Sequence, residues 1–331
     1  MMIDRLRIFE FGKPADVLAH ESAGAWQPPR DAVVVEMFAA PVNPADLNWI
    51  EGTYGVRPEL PATPGIEGSG VVVDSPVAEF SPGDRVIALG RVGTWASHVA
   101  VMPERLMKLP EGIDMWQAAM LKVNPATAWR LLHGFRDLDP GDWVVQNAGN
   151  SGVGRCVIQL ARSLGIRTIS MVRNLGLAGE LQALGADHVL VDDGDGQAAA
   201  LEIMGGRHAA LASNAVGGES ALRQMNLLAD GAPHVTYGAM ARRPLKVPNG
   251  MLIFRDIAVR GLWVTRWIDA APAAELREVY GDLAQRVAEG GLVQRVDSCF
   301  PLADFPKAMA RQDEAGKKGK VFFTMVDRLA R

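Results

Sequence analysis

Along residues 1–120 the apolar positions come in short runs, rich in β-branched side chains and broken by turn formers. Residues 32–37, 69–73 and 84–87 read as strands, the last entered through the turn Ser81-Pro82-Gly83. Long helical periods are scarce there, so an irregular β-rich domain is expected. From about residue 123 the pattern changes to alternation. Strands are predicted at 143–146, 167–172, 188–191, 209–214, 234–237 and 257–263. Helices are predicted from 152, near 178–184, near 197–204 and over 219–228. Such alternation implies an α/β fold with a doubly wound parallel sheet. After 267 follow one amphipathic helix, 274–289, and a strand-like end, 320–325, expected to return to the first domain.

The most informative junction lies at 142–164, DWVVQNAGNSGVGRCVIQLARSL. A strand stops at a turn of small residues, Ala148 to Gly154, and a helical period follows through Val157, Leu160, Ala161 and Leu164. Strand, glycine turn and helix let a backbone approach a pyrophosphate, whose charge suits the helix N-terminus. A dinucleotide is therefore expected. An NAD site tends to place an acidic residue at the end of the second strand, for the ribose 2′-hydroxyl. This strand ends Met171-Val172-Arg173-Asn174. Arg173 is a forked cation suited to a 2′-phosphate, which favours NADPH, although a solvated surface arginine is the plainer reading.

Length and composition narrow the field. A chain of 331 residues is expected to form two domains. Its 48% hydrophobic and 22% charged content fit a globular protein. The net charge of −4 argues against a nucleic-acid or anionic-membrane surface. No apolar run is long enough to span a bilayer, and the first residues show no signal-peptide core. Cys156 and Cys299 do not suggest a disulfide framework. A cytoplasmic location is expected. The histidines (His20, His98, His133, His188, His208 and His234) are dispersed, so no metal site is expected. In the turn Glu51-Gly52-Thr53-Tyr54-Gly55 a phenol could reach a ligand, but from the turn itself Tyr54 reads as an ordinary packing tyrosine. The segments 42–46 and 123–127 read by themselves as turns and caps.

In this order, the clusters resemble those of the zinc-free medium-chain dehydrogenase/reductase superfamily. Within it the chain is similar to the mitochondrial-type trans-2-enoyl-CoA/acyl-carrier-protein reductases. The resemblance covers nearly the whole chain and runs through APVNPAD at 40–46, GTY at 52–54, PATPGIEG at 61–68 and GTW at 93–95. It continues through VNPATA at 123–128, QNAGNSGVG at 146–154, TYGAM at 236–240 and LIFRD at 252–256. It implies a Rossmann NADP(H)-binding domain at 123–266 and a β-rich GroES-like catalytic domain built from 1–122 and 267–331. Zinc-dependent members carry Cys where Asn43 stands and His where Ile66 stands, so the resemblance implies no metal.

The resemblance also implies roles for residues. Tyr54 matches the proton donor. Asn43, Asn124, Thr127, Asn150, Ser151, Gly152, Val153 and Arg173 are expected at the cofactor. Tyr237, Gly238, Ala239, Met240, Leu262, Trp263 and Val264 match segments lining the nicotinamide, and Lys320 matches a C-terminal cofactor-binding lysine. Trp129, Gly149 and Leu262 depart from common family choices, which bears on acyl preference. The implied reaction is transfer of a hydride from NADPH to the β-carbon of a 2-enoyl thioester, carried on coenzyme A or acyl-carrier protein. Tyr54 would protonate the α-carbon; an ordinary tyrosine, with a pKa of about 10, stays protonated at neutral pH. The alternatives are an NADPH:quinone or enone reductase, and an NADPH-binding protein without turnover. Relatives are usually homodimers joined near 257–263, so a homodimer is expected, with no nucleic-acid or membrane partner.

Overall fold

The computed structural model describes residues 1–325; residues 326–331 of the expected first domain lie outside them. The chain forms two compact units, Met1–Val123 with the chain from Ile268 onward, and Asn124–Trp267.

The second unit is built on a six-stranded parallel sheet. Its strands are Trp143–Gln146, Arg167–Val172, His188–Val191, Leu211–Asn214, Pro233–Thr236 and Ala258–Gly261. Numbered in that order they lie side by side as 3-2-1-4-5-6, the Rossmann arrangement. Every residue of the first strand is buried, as expected of a strand covered on both faces. The helix expected near 197–204 runs over Gly194–Met204, because the Asp193 carboxylate caps it by accepting from the Gly196 N–H at 2.8 Å. Its first turn carries glycines and an aspartate, so the apolar period does not reveal it.

The strand expected at 257–263 is shorter, Ala258–Gly261. Its partner ends at Thr236, whose carbonyl accepts the last bond from the Leu262 N–H, and the helix Val264–Ala270 then begins. For the same reason the strand expected at 234–237 stops at Thr236: the Tyr237 N–H turns to the Asn214 carbonyl. The strand expected from 209 begins at Leu211, and the two later helices run over Gly218–Leu227 and Ala273–Ala288.

In the first unit the strand expected at 32–37 extends over Val33–Pro41. It pairs with Ser69–Asp74, His98–Val101 and Lys320–Thr324 in a seven-stranded sheet that also holds Arg85–Ala88, Leu106–Lys108 and Val296–Pro301. Lys320–Thr324 runs antiparallel to Val33–Pro41 and brings Phe323 into the core. There its ring meets Trp95 edge-on, with centroids 4.9 Å apart. The chain enters a strand at once, Met2–Ile8, as its first residues suggest, but its ribbon partner Leu18–Ala25 and the helix Asn124–His133 were not anticipated. The second strand of the ribbon is mostly small and polar, and the helix opens on Asn-Pro, which reads locally as a turn. No helix among the described residues is long and apolar enough to cross a membrane.

Candidate active site

Tyr54 follows the helix Pro44–Ile50. Asn43 caps that helix; its main-chain N–H donates to Asp46 Oδ2 at 2.9 Å. The chain then reverses at Gly52, whose φ of +71° favours glycine. The N–H groups of Thr53 and Tyr54 both donate to the Asn48 carbonyl, at 2.9 and 3.1 Å. These bonds fix the base of the half-buried phenol. Above its ring lies the Arg91 guanidinium, 5.3 Å from the centroid; the same cation is 5.6 Å from the Trp49 ring.

Behind this loop lies a buried polar cluster. Asn43 Nδ2 donates to Glu67 Oε1 at 2.9 Å, and the Val123 N–H donates to Glu67 Oε2 at 2.8 Å. The Lys320 ammonium donates to Asn43 Oδ1, joining residues 277 positions apart. The Lys122 ammonium donates to the carbonyls of Ile66, at 2.7 Å, and Gly90, at 2.8 Å. The Tyr280 hydroxyl donates to the Lys122 carbonyl. Burial dominates the ionisation of all three fully enclosed groups. It pushes Asp46 up to about 6, against the Asn43 N–H and the Arg91 charge. Glu67 rises to about 7, opposed by Lys320 and Asn43. Lys122 falls to about 7, with the Arg91 charge adding to the fall and Glu67 opposing it. Arg91 and Lys320 both draw on the Asp46 carboxyl, and Lys320 on Glu67 as well, so positive charge at the cluster favours negative charge beside it.

The second unit carries the glycine cradle. A side chain at Gly149 would lie 2.7 Å from Ser170 Cβ, and one at Gly154 would lie 2.7 Å from the carbonyl oxygens of Ala148 and Gly149. At Gly152 it would collide with the Asn124 amide nitrogen. Ser151 caps the helix Gly152–Ser163, its hydroxyl accepting from the Gly154 N–H at 3.1 Å. The turn is thus held tightly at a helix N-terminus, which fits a pyrophosphate. The Tyr237 hydroxyl oxygen is buried without a well-aligned hydrogen bond; burial raises its pKa far above the ordinary value, and the Ser151 hydroxyl offsets this only partly. A buried hydroxyl with so loose a partner beside the turn suits a polar ligand.

Carboxyl-terminal strand ends are tied by amides. Asn147 Nδ2 donates to Asn214 Oδ1 and Ser220 Oγ, both at 2.7 Å, and Asn147 Oδ1 accepts from the Ala215 N–H. Asn214 Nδ2 reaches Thr236 Oγ1 at 3.1 Å. In open α/β sheets ligands bind beyond these ends.

The residues expected at the site thus fall in two groups. Asn43, Tyr54 and Lys320 lie in the first unit, where a hydrogen bond joins Asn43 to Lys320. The second unit holds Asn124 and Thr127, both buried in one helix, and the turn Asn150 to Val153. It also holds an exposed Arg173 just past its strand, the loop Tyr237 to Met240, and Leu262, Trp263 and Val264 at the end of the edge strand. Glu67, Asp46, Lys122, Arg91 and the Asn147–Asn214 pair were not singled out. A signal existed for Glu67: a carboxylate in the apolar run Gly65-Ile66-Glu67-Gly68 must be buried and therefore partnered. Among the described residues no three His, Cys, Asp or Glu side chains gather as a metal site.

Residues 29–111 match the alcohol dehydrogenase GroES-like domain family, and residues 152–279 match the zinc-binding dehydrogenase family. The chain is 38% identical over 309 residues to the mitochondrial enoyl-[acyl-carrier-protein] reductase of Xenopus tropicalis, an alignment covering 90% of this chain and 88% of that protein. A solved structure described as an NADPH:quinone reductase from Bacillus thuringiensis superposes with a TM-score of 0.91 and 28% identity, covering 98% of this chain and 99% of that one. The Etr1p/NADP/crotonyl-CoA complex superposes with a TM-score of 0.87 and 27% identity, covering 98% and 100%. Etr1p also occurs in a mitochondrial Etr1p/Etr2p heterodimer from Candida tropicalis, with a TM-score of 0.86, 26% identity and coverage of 98% and 100%. The mitochondrial names of these relatives lend no support to the cytoplasmic expectation. The chain belongs to the medium-chain dehydrogenase/reductase superfamily, in the branch of the mitochondrial enoyl-[acyl-carrier-protein] reductases.

Proposed function

We propose that the protein reduces the C2=C3 double bond of trans-2-enoyl thioesters with NADPH. The observation that carries this reading is Tyr54, whose main-chain N–H is held by the Asn48 carbonyl and whose ring lies under the Arg91 guanidinium. The second unit, Asn124–Trp267, is the NADP(H)-binding unit and the first is the catalytic one. The turn Asn150 to Val153 holds the pyrophosphate, Asn124 and Thr127 stand behind it, and Arg173 takes the 2′-phosphate. Tyr237 to Met240 and Leu262 to Val264 line the nicotinamide, with Asn43 and Lys320 binding from the first unit. NADPH, when bound, supplies the hydride that goes to the β-carbon. Tyr54 delivers the proton to the α-carbon, and the Arg91 guanidinium over its ring stabilises the negative charge that develops on the thioester oxygen. No metal is needed: the Asn43 amide already has Glu67 and Lys320 as its partners.

We further infer a homodimer. The edge strand Ala258–Gly261 has one unpaired side, and Leu252, Ile253 and Phe254 just before it are exposed. Acyl-carrier protein is a natural carrier of the substrate, as the relatives' names have it. Quinone reduction is the competing reading, favoured by the likeness to the Bacillus thuringiensis structure. NADPH oxidation measured in parallel with crotonyl-CoA and with a quinone decides between them. Turnover of the enoyl thioester at the higher kcat/KM is expected; a preference for the quinone overturns the proposal.

A further inference from the structure

An asparagine amide has two chemically opposite ends, one donating and one accepting. In Asn43 each end meets an opposite partner: the ionised Glu67 carboxylate can only accept, and the Lys320 ammonium can only donate. The Glu67 carboxylate, an acceptor, takes the Asn43 nitrogen at 2.9 Å. The Lys320 ammonium, a donor, takes its oxygen. The second Glu67 oxygen is used by the Val123 N–H at 2.8 Å. Glu67 is 0% exposed and Asn43 2%, so water cannot substitute for a lost partner. The main chain of Asn43 is fixed as well, by its bond to Asp46. Lys320 opens the strand Lys320–Thr324, whose pairing with Val33–Pro41 anchors the base of its side chain. The head of that flexible four-carbon stem is steered by the Asn43 oxygen.

We infer that Glu67 is a positioning residue: by holding the Asn43 amide in one orientation it keeps the oxygen toward Lys320 and so places the Lys320 ammonium for NADPH. The inference rests on the cofactor role proposed above for Lys320. Glu67 touches neither cofactor nor substrate in this scheme; it acts through two side chains.

Glu67→Gln tests it. The new amide keeps the size of the carboxylate but offers one acceptor and one donor. With its oxygen on Val123, its NH2 group faces Asn43, which must turn over and present a second donor to the ammonium. With its oxygen on Asn43, the Val123 N–H loses its partner. The double variant Glu67→Gln/Asn43→Asp repairs every bond. The amide at 67 donates to the carboxylate at 43 and accepts from Val123, while the other oxygen at 43 receives Lys320.

The readouts are NADPH binding by cofactor fluorescence, KM for NADPH and kcat with crotonyl-CoA, and the unfolding midpoint. Glu67→Gln is expected to weaken NADPH binding about tenfold, with KM rising in step and kcat changing far less. The double variant regains most of the affinity. Wild-type affinity in a folded Glu67→Gln protein, or a double variant as impaired as the single one, overturns the inference. If Glu67→Gln does not fold, Asn43→Asp replaces it as the starting point. That change sets a second carboxylate against Glu67, and adding Glu67→Gln must then improve binding; no improvement overturns the inference. A wild-type protein that binds no NADPH overturns the proposed function together with this inference. NADPH binding that is indifferent to Glu67 overturns the inference only.

Discussion

Tyr54 and His234 show how differently two ordinary side chains can be set. Tyr54 stands half-buried beneath Arg91, its backbone pinned to Asn48. Tyr54→Phe removes the proton and keeps the ring, so kcat for enoyl thioester reduction is expected to fall by about 10²–10⁴-fold. NADPH affinity should stay near the wild-type value, as steady-state kinetics and a binding titration can establish. His234 is 0% exposed within the strand Pro233–Thr236, and neither ring nitrogen has a hydrogen-bond partner. Burial lowers its pKa from 6.5 to about 4. The folded value lies below the unfolded one, so its stability contribution is complete above about pH 6.5 and is lost as the pH falls toward 4. The loss amounts to about 3 kcal/mol across that window. His234→Leu is expected to flatten this acid limb, measurable as urea unfolding at pH 7, 5.5 and 4. Neither setting was legible in the chain. A histidine in an apolar strand and a tyrosine in a glycine turn have many uses, and only their surroundings select one.

Elements were far more legible than side-chain settings, most of all where period and punctuation agree. The strand Trp143–Gln146, its turn and the helix Gly152–Ser163 could be read directly, because an apolar run, small residues and a helical period follow in order. Elements that open on polar or small residues were late or missed, as with Gly194–Met204 and Asn124–His133. The turn itself tolerates little. A methyl group at Gly154 would press on the backbone of Ala148 and Gly149, which cannot rotate away as a side chain could. Gly154→Ala is therefore expected to cost about 1–3 kcal/mol in unfolding free energy. It should also weaken NADPH binding, through displacement of the turn. A variant with unchanged urea midpoint and unchanged NADPH affinity would show that the turn is not a close-packed cradle.

On the scale of the molecule, the first unit is discontinuous: Lys320–Thr324 returns to pair with Val33–Pro41 and delivers Lys320 to Asn43. The second unit ends in the strand Ala258–Gly261, preceded by Phe254 at 82% exposure. If that edge joins two copies, Phe254→Glu should convert a dimer to a monomer in analytical ultracentrifugation, since a buried unpaired carboxylate is costly. A wild-type protein sedimenting as a monomer would remove the dimer. What the sequence by itself determined is the α/β plan, the strand–turn–helix that fits a dinucleotide, and, through family resemblance, the candidates Tyr54, Arg173 and Lys320. These are legible because period, turn chemistry and motif are local properties, written within a few residues. Only the tertiary structure decided that Glu67, Asn43 and Lys320 form one chain of hydrogen bonds, that Arg91 lies over Tyr54, and that Asp46, Glu67 and Lys122 are buried there. Burial and hydrogen-bond partners are set by which distant segments pack together, and no local pattern carries that information.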